Sequence, residues 1–177
     1  SESLAEAGDE AALPLIERLR RAQPVEAEAI TARLRHRRGQ RAEALAAMTR
    51  AFELYRADPW PSQSLMRRAL ELTDELGSLD VPTSLALLAA LRQPFAVHAV
   101  DTARTLESAW IAQRISESKQ CASAWSTIEP HVPWDLDTLN ARRDCYQRTQ
   151  DPRRWESARD VEQWKRCEAS PSWLRCF

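Results

Sequence analysis

Two histidines lie a few residues from a carboxylate and could serve as general bases. His98 is three residues before Asp101 in FAVHAVD, and His131 is four residues before Asp135 in HVPWD. A general base also needs a substrate pocket and a partner within hydrogen-bond distance, and neither spacing shows these. Neither histidine, nor His36, belongs to an HExxH motif or a close ligand cluster, so no metal site is indicated. Structural or surface histidines are the favoured interpretation, and a small helical enzyme using His98 or His131 is kept as an alternative.

Four cysteines lie in the last third of the chain, at positions 121, 145, 167 and 176. No CxxC motif occurs, which argues against a zinc ribbon or a thioredoxin-type site. If a helical hairpin turns at Pro133, Cys121 and Cys145 lie at the same level of its two helices. They would be a disulfide in an oxidising compartment and buried thiols in the cytosol. Because the first residues do not resemble a signal peptide, thiols and a cytoplasmic location are favoured, with an oxidised pair in the periplasm as the alternative.

Arginine dominates the basic residues, since only Lys119 and Lys165 of the 25 are lysine. The net charge of −1 gives no general attraction to nucleic acid, and no exposed aromatic residues alternate with the basic run RLRHRRGQR. We favour solvated or internally paired arginines over binding ones. The candidates for contact with a partner are Arg33, Arg37, Arg41, Arg68 and Arg142.

Several classes of chemistry have no motif in this chain. Its three glycines are isolated, so GxGxxG, GxxxxGK[ST] and GxSxG are all absent. No apolar run approaches the roughly 20 residues of a membrane-spanning helix. We therefore expect no cofactor and no direct membrane insertion.

The elements that would position these residues are helices. Strand-like alternation is nearly absent, whereas Ala27, Ile30 and Leu34 recur with helical spacing, and Gly39 suits a left-handed helix end before the next apolar series. The pattern predicts an all-α chain of about eight or nine helices. The segment SLALLAALR, residues 84–92, is apolar on nearly every side and should be covered by neighbours on both flanks.

Two proline–tryptophan junctions suggest an internal repeat. The pattern P-W-x-x-x-[ST]-L-x-x-R begins at Pro59 and again at Pro133, 74 residues later. Helical hairpins repeating at this length predict a right-handed α-solenoid. The predicted organisation is a single helical-repeat domain, 1–177, with an N-terminal helix (1–24), two four-helix units (25–98 and 99–168) and a tail (169–177).

The tryptophans at these junctions are each followed by a leucine five residues later. With Asp135 as N-cap, Trp134 and Leu139 take the positions joined by a hydrophobic staple, and Trp60 and Leu65 have the same separation. We predict that both tryptophans are largely buried against their leucines. The alternative is that the two rings line a groove and stack on a ligand.

The segment from Val25 to about Pro59 resembles a tetratricopeptide repeat. In GQRAEALAAMTRAFELY, Gly39 occupies the turn, and Ala44, Met48 and Ala51 follow the small–large–small spacing of the second helix. In the first helix, Glu28 and Arg35 replace residues that the family usually keeps apolar and aromatic. The resemblance implies binding of partner segments along a concave surface.

A longer resemblance rests on RADPWP, LMRRAL, ALRQPFAV and EPHVPW. Together these are similar to the helical C-terminal extension of bacterial fused transporter and spermidine-synthase-like proteins. The glycine motif and catalytic aspartates of an aminopropyltransferase have no counterpart here. This resemblance implies an accessory or regulatory domain whose catalytic part lies upstream.

The favoured function is a non-catalytic scaffold that binds a protein or peptide partner and no nucleic acid. The accessory domain and the histidine-based enzyme are its alternatives.

Overall fold

The computed structural model describes residues 1–115 and 119–169, and all regular structure in these ranges is helical. This confirms the all-α prediction. The described residues form nine helices of ten residues or more, in agreement with the predicted eight or nine, and the five-residue α1 is additional because it is too short to show periodicity. The helices are α1 (Glu2–Glu6), α2 (Ala12–Ala22), α3 (Pro24–Arg37), α4 (Arg41–Ala57), α5 (Gln63–Gly77), α6 (Val81–Leu91), α7 (Asp101–Arg114), α8 (Lys119–Ile128), α9 (Leu136–Arg148) and α10 (Arg154–Glu168).

None of the helices in the described ranges combines the length and the apolar character needed to cross a membrane. The predicted tail lies, after Ala169, outside the described residues.

The chain forms two compact units, Ser1–Arg114 and Ile115–Phe177. The division therefore does not fall between residues 98 and 99, where the sequence repeat placed it. Helix α7 packs against α5 and α6 and contributes Ile111 to the core of the first unit. Packing of α7, rather than the repeat in the sequence, sets this boundary.

In the first unit, helices from α3 onward pack against the next helix and the next but one. Helix α3 contacts α4 and α5, α4 contacts α5 and α6, and α5 contacts α6 and α7. Helices α3, α5 and α7 therefore form one layer, and α4 and α6 form the other.

The turn between α3 and α4 is built as the sequence predicts. Gly39 has φ +71°, the left-handed conformation in which glycine carries no Cβ penalty. Its N–H donates to the carbonyl of His36 at 2.8 Å, and Gln40 N–H donates to the carbonyl of Arg35 at 2.9 Å. These two bonds define a Schellman motif, which ends α3 and lets α4 begin after three residues.

A buried glutamate ties three helices of the first unit together. Glu28 is 6% exposed, and its carboxylate pairs with Arg50 at 3.0 Å and with Arg20. Because Arg20 is on α2, Glu28 on α3 and Arg50 on α4, one acid joins them. The polar residue that departs from the tetratricopeptide pattern is thus compensated by charge.

The second unit consists of α8, α9 and α10 around a core of fully buried Trp125, Leu139, Tyr146 and Val161. Asp135 is the N-cap of α9, as predicted, since its Oδ1 accepts a hydrogen bond from Thr138 N–H at 2.9 Å. A disulfide between Cys121 and Cys145 joins α8 to α9.

Candidate partner-binding surface

Helix α6 buries one side in the first unit. Asp80 is the N-cap of this helix. Its Oδ1 accepts a hydrogen bond from Thr83 N–H at 2.7 Å, and this bond lowers the pKa of the Asp80 carboxyl. Leu87 and Leu91 are fully buried, and Ser84 Oγ donates to the carbonyl of Gly77 at 2.6 Å. These contacts fix the rotation of α6 against α5 and α7.

The opposite side of α6 is exposed and apolar. Val81 is 52% exposed and Leu85 is 42% exposed. With three further exposed residues they form a continuous surface, here called the α6 face: Val81, Pro82, Leu85, Ala86 and Ala89. Contiguous exposed apolar side chains on a helix are typical of an interaction surface.

The expectation that neighbours cover both flanks of α6 is therefore wrong. Apolar composition predicts that a helix needs cover, but it does not show that the same chain provides it. Within its layer of the first unit, α6 has α4 as a neighbour and no further helix. The apolar sequence of α6 does indicate an apolar surface, but the prediction that the same chain covers this surface on both flanks is wrong.

A groove of about 410 Å³ lies between α4 and α6 beside this face. We call it the α4–α6 groove, and its lining residues are Thr49, Glu53, Arg56, Ala86, Ala89, Ala90, Arg92 and Gln93. Alanines form its apolar part, and two arginines lie where the two helices end. Residue spacing did not reveal this groove, because its members come from two distant segments of the chain.

The two groove arginines have hydrogen-bonding capacity that the described chain does not use. Arg56 Nη2 donates to the carbonyl of Ala90, while its Nε is buried without an acceptor among the described residues. Arg92 is exposed and has no ion pair within the described ranges. Arg92 can therefore donate hydrogen bonds to a carboxylate from outside the chain, and the half-buried Arg56 adds positive charge beside it.

Two of the predicted partner-binding arginines instead hold α1 and α5 against α3. Arg33 Nη1 lies 2.8 Å from Glu6 Oε2, and Arg37 pairs with Glu6 at 2.5 Å and Glu75 at 3.0 Å. Burial of Glu6 opposes its ionisation, but hydrogen bonds from Arg37 and Arg33 keep its pKa below the usual value. His36 Nε2 is also 3.2 Å from Glu75. The basic run is thus largely an internal ion-pair network.

Arg68 and Arg41 are more exposed than these. Arg68 forms an ion pair with Glu2 on α1. Arg41 begins α4 on the surface and has no ion pair within the described ranges. It also lies outside the residues that line the α4–α6 groove.

Arg142 is a buried structural residue. It is 3% exposed, its Nε lies 2.6 Å from Glu129, and its Nη1 lies 2.5 Å from Asp160. Burial opposes its charge, but these carboxylates raise the pKa of Arg142. Tyr146 Oη donates to Glu129 at 3.1 Å, and the Arg153 guanidinium lies over its ring. The pairing with carboxylates that the sequence favoured for Arg142 is confirmed.

The predicted staple at Trp60 is wrong, since this residue is 87% exposed. Helix α5 begins at Gln63 with Ser62 as N-cap, so Pro61 and Met66 occupy the two staple positions, and both are buried. The Asp58 side chain accepts a hydrogen bond from Trp60 N–H at 2.9 Å, which fixes the turn outside the helix. Leu65 is buried at 8% exposure.

Trp134 has the register that the staple requires, because α9 begins directly after Asp135. It is nevertheless 36% exposed, whereas Leu139 is fully buried. The prediction of a largely buried ring is therefore met only in part at this junction.

The two histidines of the enzymatic alternative, His98 and His131, do not form an active site with other side chains among the described residues. His98 lies in a single 3-10 turn and His131 follows α8, and both are exposed. Neither has a side-chain hydrogen bond to a carboxylate within the described residues. Those residues also contain no group of three or more His, Cys, Asp or Glu placed to hold a metal ion.

The cysteine pair is oxidised in the structure, which contradicts the favoured interpretation as thiols. The Cα atoms of Cys121 and Cys145 are 6.1 Å apart, within the range that a disulfide spans. Cys167 is also disulfide-bonded, and no described cysteine is free. The equal level of Cys121 and Cys145 on two consecutive helices, predicted from their distances to Pro133, accounts for the bond.

Comparisons with protein-family models, with curated protein sequences and with solved structures find no match to this chain. The candidate surface therefore stands on its own geometry.

Proposed function

We propose that this chain is a non-catalytic scaffold that binds a partner protein through the α6 face. The single observation that carries the proposal is the exposure of Val81 and Leu85 on a helix whose most exposed positions from 81 to 89 are all apolar. In the first unit each helix from α3 onward packs on the next helix and the next but one, as in a stack of helical hairpins, and we propose that this stack is right-handed.

A comparison with α10 shows why the α6 face is unusual for a solvated helix. Helix α10 also exposes an apolar side chain, Trp155, but it exposes the charged residues Glu156, Arg159 and Glu162 as well, which water solvates. Helix α6 carries no charged side chain between Asp80 and Arg92. Covering its valine and leucine would remove apolar area from water at roughly 25 cal/mol per Å². A partner therefore gains most at these two positions.

The same surface serves either of two arrangements proposed from the sequence. In a free-standing scaffold, the partner is another protein. In an accessory domain of a spermidine-synthase-like protein, the partner is the catalytic part of the larger molecule. The proposal concerns the contact and applies to both.

Photo-crosslinking in the native cell tests this function. A benzoylphenylalanine at Leu85 should give a discrete adduct with a second protein, and a Val81→Glu substitution in the same chain should abolish it. Leu15 on α2, which is 37% exposed, is the matched control position. Equal adducts at Leu85 and Leu15, or none at Leu85, would contradict the proposal. An adduct of twice the chain mass would identify self-association instead.

We further propose that the contact forms in an oxidising compartment, as in the periplasmic alternative. The Cys121–Cys145 disulfide and the bonded Cys167 support this location over the cytosol. Acid-quenched cells labelled with a polyethylene-glycol maleimide should show unmodified protein until a reductant is added. Labelling without reductant would place the protein in a reducing compartment.

A further inference from the structure

We propose that the partner segment is an amphipathic helix that packs on the α6 face and places a carboxylate in the α4–α6 groove, near Arg56 and Arg92. This inference rests on the proposed function and names the chemistry of its partner. It concerns the first unit alone.

The apolar part of the surface matches a helix. Val81, Leu85 and Ala89 follow one another at i, i+4 and i+8, so they form a ridge about 12 Å long at 1.5 Å per residue. Ala86 and Ala89 are small and allow a second helix to approach to the 8–10 Å typical of packed helices. An extended strand would need free backbone donors and acceptors, which a helical surface does not present.

The charged part of the surface calls for an acid. Arg56 and Arg92 lie at the C-terminal ends of α4 and α6, and Glu53 is the one carboxylate among the groove-lining residues. In the ion-pair network of the same unit, Arg33 and Arg37 already have carboxylate partners. The groove arginines have none within the described residues, so an incoming Asp or Glu would supply the missing acceptor.

The apolar part and the charged part of the surface follow one another along α6. The apolar ridge begins at Val81 and ends at Ala89, and Arg92 follows within one turn. A partner helix should therefore carry apolar residues over about two turns and an acidic residue near the end that meets the C-terminus of α6. Such a pattern can be recovered by selection without knowing the natural partner.

The probe is a displayed library of amphipathic helices of about 18 residues with randomised apolar and charged positions, selected against the full chain. We expect enrichment of large apolar residues at i and i+4 and of Asp or Glu beyond them. An enriched peptide should lose about five-fold in affinity when its acid is changed to the amide, as is typical of one exposed ion pair.

Three variants of the chain locate the contact. Arg92→Gln should remove the preference for the acid over the amide, and Arg41→Gln, an exposed arginine outside the groove, should retain it. Arg92 is the better first choice, because the Arg56 side chain donates to the Ala90 carbonyl and its loss could disturb α6. Arg56→Lys, which keeps the charge, should retain part of the preference.

The outcomes separate this inference from the function on which it rests. Binders that Leu85→Glu abolishes but that show no acid preference would overturn the inference and leave the scaffold function standing. Binders indifferent to Leu85→Glu, or no binders from the library, would overturn the helix-and-acid partner altogether. Displacement of the binders by a second copy of the chain would show that the face is a self-association surface and would equally overturn it.

Discussion

The two proline–tryptophan junctions share a ten-residue pattern, yet the structure uses their residues differently. At the first, Trp60 is 87% exposed and Arg68 pairs with Glu2 near the surface. At the second, Trp134 is 36% exposed and Arg142 is buried between two carboxylates. Matching letters at matching spacing thus did not give matching environments.

The difference follows from where each helix begins. Asp135 follows the second tryptophan and caps α9, so Arg142 is the seventh helical residue. Pro61 follows the first tryptophan and has no side chain that can cap, so α5 begins after Ser62 and Arg68 is the sixth. One residue of offset rotates a side chain by about 100° around the helix. Counted from the first helical residue, the two arginines therefore differ in direction by about 100°, and the packing of each helix buries Arg142 and leaves Arg68 exposed.

The largest test of this comparison removes each arginine in turn. Arg142→Ala should lower the free energy of unfolding of the second unit by ~3–5 kcal/mol, because Glu129 and Asp160 lose their buried partner. Arg68→Ala should lower that of the first unit by under ~1 kcal/mol, as expected for an exposed pair. Hydrogen exchange of the α9 and α5 amides measures both. Equal losses would show that the helix offset is not what separates the two sites.

Breaking the disulfide is the next largest test. The second junction has a covalent bond that closes a loop of sequence separation 24, and the first junction contains no cysteine. Replacing Cys121 and Cys145 by Ser should destabilise the second unit by ~3 kcal/mol, mainly by freeing the unfolded chain. Exchange in α8 and α9 should accelerate while exchange in α3 and α4 stays constant. Similar acceleration in both units would contradict independent stabilisation.

A partly buried acid in the first unit, Glu107, contrasts with the paired Arg142 of the second. Burial raises the pKa of Glu107 to about 8; Asp74 and Glu71 also raise it, whereas Arg114 lowers it. Its Oε1 is buried without a hydrogen-bond partner among the described residues. Unlike Arg142, whose guanidinium is hydrogen-bonded to two carboxylates, Glu107 gains from Arg114 only a charge interaction that does not offset its burial.

The stability of the first unit should therefore fall as pH rises from about 4.5 to about 8, because the folded state retains a proton that the unfolded chain has released. Glu107→Gln should flatten this dependence and leave the unit ~2 kcal/mol more stable than the parent at pH 8. Urea unfolding followed across this pH range is the measurement. Parallel pH profiles for the parent and the variant would show that another group governs the dependence.

The sequence predicted the helices well because their evidence is local. Periodicity, the Asp135 cap and the left-handed Gly39 each depend on a few neighbouring residues, and each is present in the structure. The five-residue helix α1 carried too little local pattern to be found. The position of Cys121 opposite Cys145 on adjacent helices also follows from counting residues along the two helices.

The exposed surfaces were harder to predict, because the exposure of a residue depends on which distant segments of the chain pack against it. An apolar α6 looked like a buried helix, and Trp60 looked like a staple, because both patterns describe what a residue could cover and not what covers it. The α4–α6 groove joins residues near 53 and 89, which no single spacing relates. Periodicity identifies the apolar face of a helix, but only the packing of the chain shows whether that face is buried or exposed.

The smallest expected effect tests the tryptophans themselves. Trp134→Ala should destabilise the second unit by ~1–2 kcal/mol, because about two thirds of the side chain is covered, whereas Trp60→Ala should change the first unit by no more than ~0.5 kcal/mol. Urea unfolding of the two variants provides the comparison. If Trp60→Ala costs as much as Trp134→Ala, the exposed ring has a stabilising contact and the two junctions are more alike than their exposures indicate. If the costs differ as expected, the tryptophan shared by the two sequences has kept a structural role only where an aspartate follows it.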